Sequence, residues 1–73
     1  MQEKYTHYAI DTTDNKIING WDYTGLTNRE AVEWAKIDFK DNGYPKTIKF
    51  WTWRQLVKLG IDPISDKSWK NLK

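Results

Sequence analysis

Lys4-Tyr5-Thr6-His7-Tyr8-Ala9-Ile10-Asp11-Thr12-Thr13-Asp14-Asn15-Lys16-Ile17-Ile18-Asn19-Gly20-Trp21-Asp22-Tyr23 sets two runs rich in Tyr, Thr and Ile around a polar tetrad, the pattern of a β-hairpin. Asp14-Asn15 tolerates the left-handed backbone that a tight turn needs, so the turn is expected there. That register opposes Thr13 to Lys16, Ile10 to Asn19, Tyr8 to Trp21 and Thr6 to Tyr23. Tyr8, Ile10, Ile17, Trp21 and Tyr23 then share one face, as a half-buried hairpin requires. A rival turn at Asn19-Gly20 leaves the first run without a partner, so Gly20 is expected to mark a bulge or a close backbone approach.

Downstream, Thr27-Asn28-Arg29-Glu30 has the capping-box spacing and starts a helix that Asn42-Gly43 stops. Ala31, Val32, Ala35 and Phe39 form its apolar stripe with Trp34 on the shoulder, and Arg29, Glu33, Lys36 and Lys40 lie opposite. Asp38 projects close to that stripe and is expected beyond the sheet near the helix end, because no second acid or base is placed to work with it. Lys46 to Trp51 alternates as a strand, Ile48 and Phe50 on one face, Thr47, Lys49 and Trp51 on the other. Thr52-Trp53-Arg54-Gln55 repeats the capping-box spacing, and the helix it opens closes at Gly60 with Ile61 folding back on Leu56. After Asp62-Pro63, Ser65 caps a last helical turn carrying Trp69 and Leu72, with the Lys-rich stretch 64–73 free to fray.

The order ββαβα predicts one α+β domain over residues 1–73. Its sheet is expected to be three-stranded and mixed, of order 2-1-3, with the long helix across one face and a short second helix. Tyr5, His7, Ala9, Ile18, Thr47, Lys49 and Trp51 are expected on the other face.

Composition narrows the function classes. At 73 residues with no cysteine and one histidine, the chain can use neither disulfides nor a structural zinc, and neither a metal nor a cofactor is expected. Eleven aromatic residues supply the core instead. No apolar run approaches a membrane span or a secretory signal, so a cytoplasmic location without membrane contact is expected. Four scattered glycines and the missing Ser-His-acid inventory point away from catalysis. The overall charge of +2 divides into −3 over residues 1–43 and +5 over residues 44–73.

Three binding surfaces are therefore candidates. Tyr5, His7, Lys49 and Trp51, with Lys46 nearby, would form a base-stacking platform if they lie together. Thr52 to Leu72 looks like a helix-turn-helix element, although Pro63 and Asp66 interrupt where that pattern wants helix continuity. The third and preferred candidate is a protein interface of Trp51, Trp53, Arg54, Lys58 and Trp69, the aromatics as anchors and the cations as rim charges. A second copy of the chain is its plainest partner, and nucleic acid through the same region is the alternative.

Tyr8-Ala9-Ile10 and Lys16 to Tyr23, together with Leu59-Gly60-Ile61-Asp62-Pro63 and Trp69, resemble short proteins of no assigned function from low-GC Gram-positive bacteria and their phages. The resemblance implies a cytoplasmic accessory or phage-encoded protein that acts by binding.

Overall fold

Asp11 and Asp14 shape the hairpin loop. Asp11 Oδ1 accepts from the Thr13 N–H at 3.0 Å and from its hydroxyl at 2.7 Å, Asp14 Oδ1 accepts from the Lys16 N–H at 3.2 Å, and Asn15 takes a left-handed φ of 54°. The computed structural model describes residues 5–70 and places β1 at His7–Asp11 and β2 at Lys16–Trp21. The connection is a loop over 12–15, not a two-residue turn at Asp14-Asn15. Such a longer loop lets both aspartates bond the backbone two residues on, which a two-residue turn leaves no room for.

Register is set by that loop. Asp11 faces Lys16 and Ile10 faces Ile17; Ile18 is then an extra residue, and Ala9, Tyr8 and His7 face Asn19, Gly20 and Trp21. The expected pairing is thus displaced by two residues near the loop and by one beyond the bulge. A shift of one residue carries every later side chain to the other face. Trp21 therefore lies with His7, opposite the face of Tyr8, Ile10 and Ile17, and Tyr23 goes with it, stacking on Trp21 at 6.2 Å. Gly20 marks a close approach, not the bulge itself: a Cβ there would stand 2.8 Å from Cγ of Tyr5.

Both helices begin as the spacing predicts. In α1 (Asn28–Asn42) the Thr27 hydroxyl accepts from the Glu30 N–H at 3.2 Å while Glu30 Oε1 accepts from the Thr27 N–H at 3.0 Å; such caps stabilise by about 1 kcal/mol. At its end Gly43 has φ 63°, the Tyr44 N–H bonds the Phe39 carbonyl at 3.1 Å, and the Tyr44 ring meets Phe39 edge-on at 5.1 Å. β3 (Ile48–Thr52) pairs with β1. In α2 (Trp53–Lys58) Thr52 and Gln55 make the same reciprocal cap, with Thr52 N–H to Gln55 Oε1 at 2.9 Å and Gln55 N–H to Thr52 Oγ1 at 3.2 Å. It ends as expected: Gly60 has φ 80° and the Ile61 N–H bonds the Leu56 carbonyl at 3.0 Å.

The sheet order is β2-β1-β3, in an α+β fold. Every adjacent pair is antiparallel, in place of the mixed sheet expected. The crossover through α1 does make β2 and β3 run the same way, but β1 lies between them, so no parallel ladder forms.

β1 is buried on both sides, with Tyr8, Ala9 and Ile10 exposed by no more than 2%. On one face α1 buries Ala31 and Ala35 and sends Phe39 to Trp21 at 6.1 Å and Phe50 at 6.4 Å. On the other, Leu56 of α2 joins Tyr8, Ile10 and Ile17, with Tyr5, Trp51, Trp53, Ile61 and Trp69 packed around them. The stretch after Pro63 returns along the start of β2 as far as Lys70. Ser65 caps a 3-10 turn at Asp66–Ser68, and the Lys70 N–H bonds the Ile17 carbonyl at 2.7 Å. Lys70 Nζ also reaches Asp11 at 2.8 Å and Asp14 at 3.2 Å, pinning this segment to the hairpin loop. Leu72 lies outside the described residues.

Candidate functional site

The stacking platform does not assemble. Tyr5, Lys49 and Trp51 lie on the α2 side of the sheet, whereas His7 faces α1, is 6% exposed, and stacks flat on Phe50 with centroids 5.0 Å apart. Its Nδ1 lies 2.9 Å from the Thr6 hydroxyl and its Nε2 3.4 Å from Asn28 Oδ1. The β1–β3 register sets Trp51 opposite Tyr8 and Thr52 opposite His7, and Tyr5 precedes β1, so the residues that simple alternation had grouped are separated. The helix-turn-helix reading fails for a different reason: α2 is succeeded by the three-residue turn Asp66–Ser68, with no second helix among the described residues to enter a groove.

Much of the C-terminal indole surface serves the second core. Trp69 packs on Tyr5 at 6.2 Å and edge-on to Tyr8 at 6.1 Å, and its indole N–H donates to the Pro63 carbonyl at 2.9 Å. Trp51 and Trp53 are half-buried against the same cluster, Trp53 lying 6.1 Å from Tyr8. Beneath them the Tyr8 hydroxyl donates to the Tyr5 carbonyl at 3.1 Å and accepts from the Tyr5 N–H at 3.0 Å. Burial pushes the Tyr8 phenol above its ordinary pKa, partly offset by that bond to the Tyr5 backbone.

One surface of α2 is left over. The left-handed cap at Gly60 reverses the chain and brings Ile61, Asp62 and Pro63 back beside Trp53 and Val57, enclosing a groove of about 260 Å³. Val57 is 54% exposed and Leu59 53%, and Ile64 is exposed just beyond. Arg54 and Lys58 stand on the same short helix, with no carboxylate partner among the described residues. The Asp62 carboxylate turns back into its own loop, accepting from the Ile64 N–H at 3.0 Å. Of the five expected interface residues, Trp53 lines this groove, and Arg54 and Lys58 are exposed on the same helix outside its lining. Trp51 and Trp69 act mainly as its support.

A larger cleft of about 450 Å³ lies between the starts of the two helices, lined by His7, Asn28, Val32, Phe50, Thr52 and Gln55. Its polar side chains bond one another: His7 to Asn28, and Gln55 to Thr52. The cleft reads as a seam between the helices.

A second exposed surface was not expected from the sequence. Glu30, Trp34, Ile37 and Asp41 recur at i, i+4, i+7 and i+11, a single stripe along α1. Trp34 is 56% exposed and Ile37 54%, more open than any C-terminal tryptophan. The spacing carries the signal, but the alanine-rich stripe beside it is the more regular pattern. Asp38, expected beyond the sheet, has one carboxylate oxygen buried without a hydrogen-bond partner. It lies near Tyr23, whose phenol is pushed up by burial and then by the Asp38 charge.

Among the described residues no group of three or more His, Asp or Glu side chains is placed to hold a metal ion, and no helix is long and apolar enough to cross a membrane. No protein-family model, curated protein or solved structure matches this chain.

Proposed function

We propose that this chain is a non-enzymatic protein-binding module whose contact surface is the groove between α2 and the loop after Gly60. Trp53, Val57, Ile61 and Pro63 line it with apolar surface, and Arg54 and Lys58 stand exposed on the same helix outside that lining. The observation that carries the reading is that half-exposed Val57 lines a preformed concavity next to exposed Leu59. A groove of about 260 Å³ is smaller than the roughly 300–1,000 Å³ typical of small-molecule sites. It suits one or two large side chains of a helix laid against it, with specificity from those two cations. The partner fitting that chemistry is an amphipathic helix with apolar anchors at i and i+3 or i+4, flanked by carboxylates.

The test is a fluorescence-anisotropy titration of two designed helical peptides that share Leu anchors, one flanked by Glu and the other by Lys. The Glu-flanked peptide is expected to bind, the Lys-flanked one more weakly, and Val57→Asp to lose about tenfold or more in affinity while remaining folded. If neither peptide binds, the reading falls. Retardation of an oligonucleotide that weakens steeply with salt would replace it with nucleic-acid binding.

A further inference from the structure

We infer that the groove's occupant is a second copy of this chain, which inserts the Glu30-Trp34-Ile37-Asp41 stripe of its α1 in a head-to-tail contact. This rests on the groove reading above and names its partner. The stripe has the chemistry the groove asks for: two large apolar side chains three residues apart on a helix, each more than half exposed, bracketed by carboxylates. The groove presents apolar surface, its lining Asp62 carboxylate committed to the Ile64 N–H, with Arg54 and Lys58 exposed on the same helix outside the lining.

Topology makes the contact intermolecular. α1 covers the sheet face of Phe50 and Trp21, whereas α2 packs on the face of Tyr8 and Ile10. The sheet therefore separates the stripe from the groove of the same molecule. Charge makes the contact heterologous. Groove against groove would face Arg54 and Lys58 with their own copies, and stripe against stripe would do the same with Glu30 and Asp41. Stripe against groove instead brings the acidic stripe of α1 toward the basic helix α2. The division of the chain into an acidic first part, −3 over residues 1–43, and a basic second part, +5 over residues 44–73, points the same way. A heterologous contact leaves one unused stripe and one unused groove at the ends of any open assembly, so it builds chains, or rings where those ends meet, and not an isolated twofold dimer.

The experiment is sedimentation velocity on the full chain, on Trp34→Ser/Ile37→Ser, and on Val57→Asp, each verified as folded by circular dichroism. The wild-type mass is expected to rise with concentration toward about 1 mM, past that of a dimer. Each variant alone is expected to stay monomeric, because each lacks one half of the contact. An equimolar mixture of the two is expected to form a one-to-one complex that grows no further, since it can make a single intact interface. A wild type monomeric throughout, self-association of either variant alone, or a mixture that stays monomeric would each overturn the inference. A monomeric wild type that still binds the Glu-flanked peptide leaves the groove reading standing with another protein as partner. Loss of peptide binding as well removes both.

Discussion

The Trp69 indole nitrogen donates to the carbonyl oxygen of Pro63 at 2.9 Å, so a ring of the second core holds one wall of the groove. Pro63 is buried, and its carbonyl would lose this partner if the indole were replaced. Trp69→Phe keeps most of the aromatic packing and removes the donor. It is expected to lower the unfolding free energy by about 1–3 kcal/mol in urea titrations. In the wild type, the Trp69 indole proton is expected to exchange with solvent more slowly than that of exposed Trp34.

The salt link between Lys70 and the hairpin loop makes the ordering of residues 64–70 depend on pH. The Lys70 ammonium and then the Thr13 hydroxyl and N–H hold the Asp11 carboxyl down to about 2, from an ordinary 3.8. Its contribution is complete above about pH 4 and is lost as pH falls through about 2. Lys70 is raised by Asp11 and then Asp14, so its contribution is present below its ordinary 10.5 and lost at higher pH. The protection of the Lys70 amide relative to its intrinsic exchange rate is expected to fall between pH 4 and pH 2, within the Asp11 window, and Lys70→Met to abolish that transition.

Gly20 and Tyr5 are expected to be coupled. A methyl at Gly20 meets the Tyr5 ring, so Gly20→Ala should cost about 1–3 kcal/mol of stability. In the Tyr5→Ala background the same change should cost much less. Additive effects in the double-mutant cycle would contradict the contact.

The two faces of the sheet should respond differently to loss of an indole. Trp21 meets Phe50 at 5.5 Å, Phe39 at 6.1 Å and Tyr23 at 6.2 Å, and Trp21→Ala is expected to destabilise by roughly 3 kcal/mol. Trp53→Ala should cost less in thermal denaturation and more in peptide affinity, because that ring also floors the groove.

Asp38 keeps a buried oxygen without a partner, a cost that a neutral side chain of the same shape reduces. Asp38→Asn is expected to raise stability by about 1 kcal/mol. The Tyr23 phenol should then titrate closer to its ordinary value yet still above it, because burial is the larger cause of its shift. Ultraviolet titration of the tyrosinates measures this directly.

The features legible in the sequence are those set by a few neighbouring residues. Thr27 with Glu30, Thr52 with Gln55, and the endings at Gly43 and Gly60 each depend on local backbone geometry, and each forms as its spacing predicts. The sheet order came from element order and connection rules. The faces of the hairpin did not, because Ile18 looks like any β-branched strand residue while acting as the inserted one. With helices on both sides, β1 carries buried side chains at every position from His7 to Ile10, so alternation could not say which half faced α1. Trp53, Arg54 and Lys58 were readable as a surface because they crowd one short helix. Trp34 and Ile37 were not, since an amphipathic pattern shows which helix face is most apolar and not how much apolar width the sheet will cover.

The bond from the Lys70 N–H to Ile17 blocks the outer margin of β2 at its start. On the opposite margin the outward amides of Ile48 and Thr52 are occupied by the Pro45 carbonyl and the Gln55 side chain. Each margin is thus interrupted by local bonds, which shortens the stretch on which a foreign strand could template itself, the usual seed of fibrillar growth.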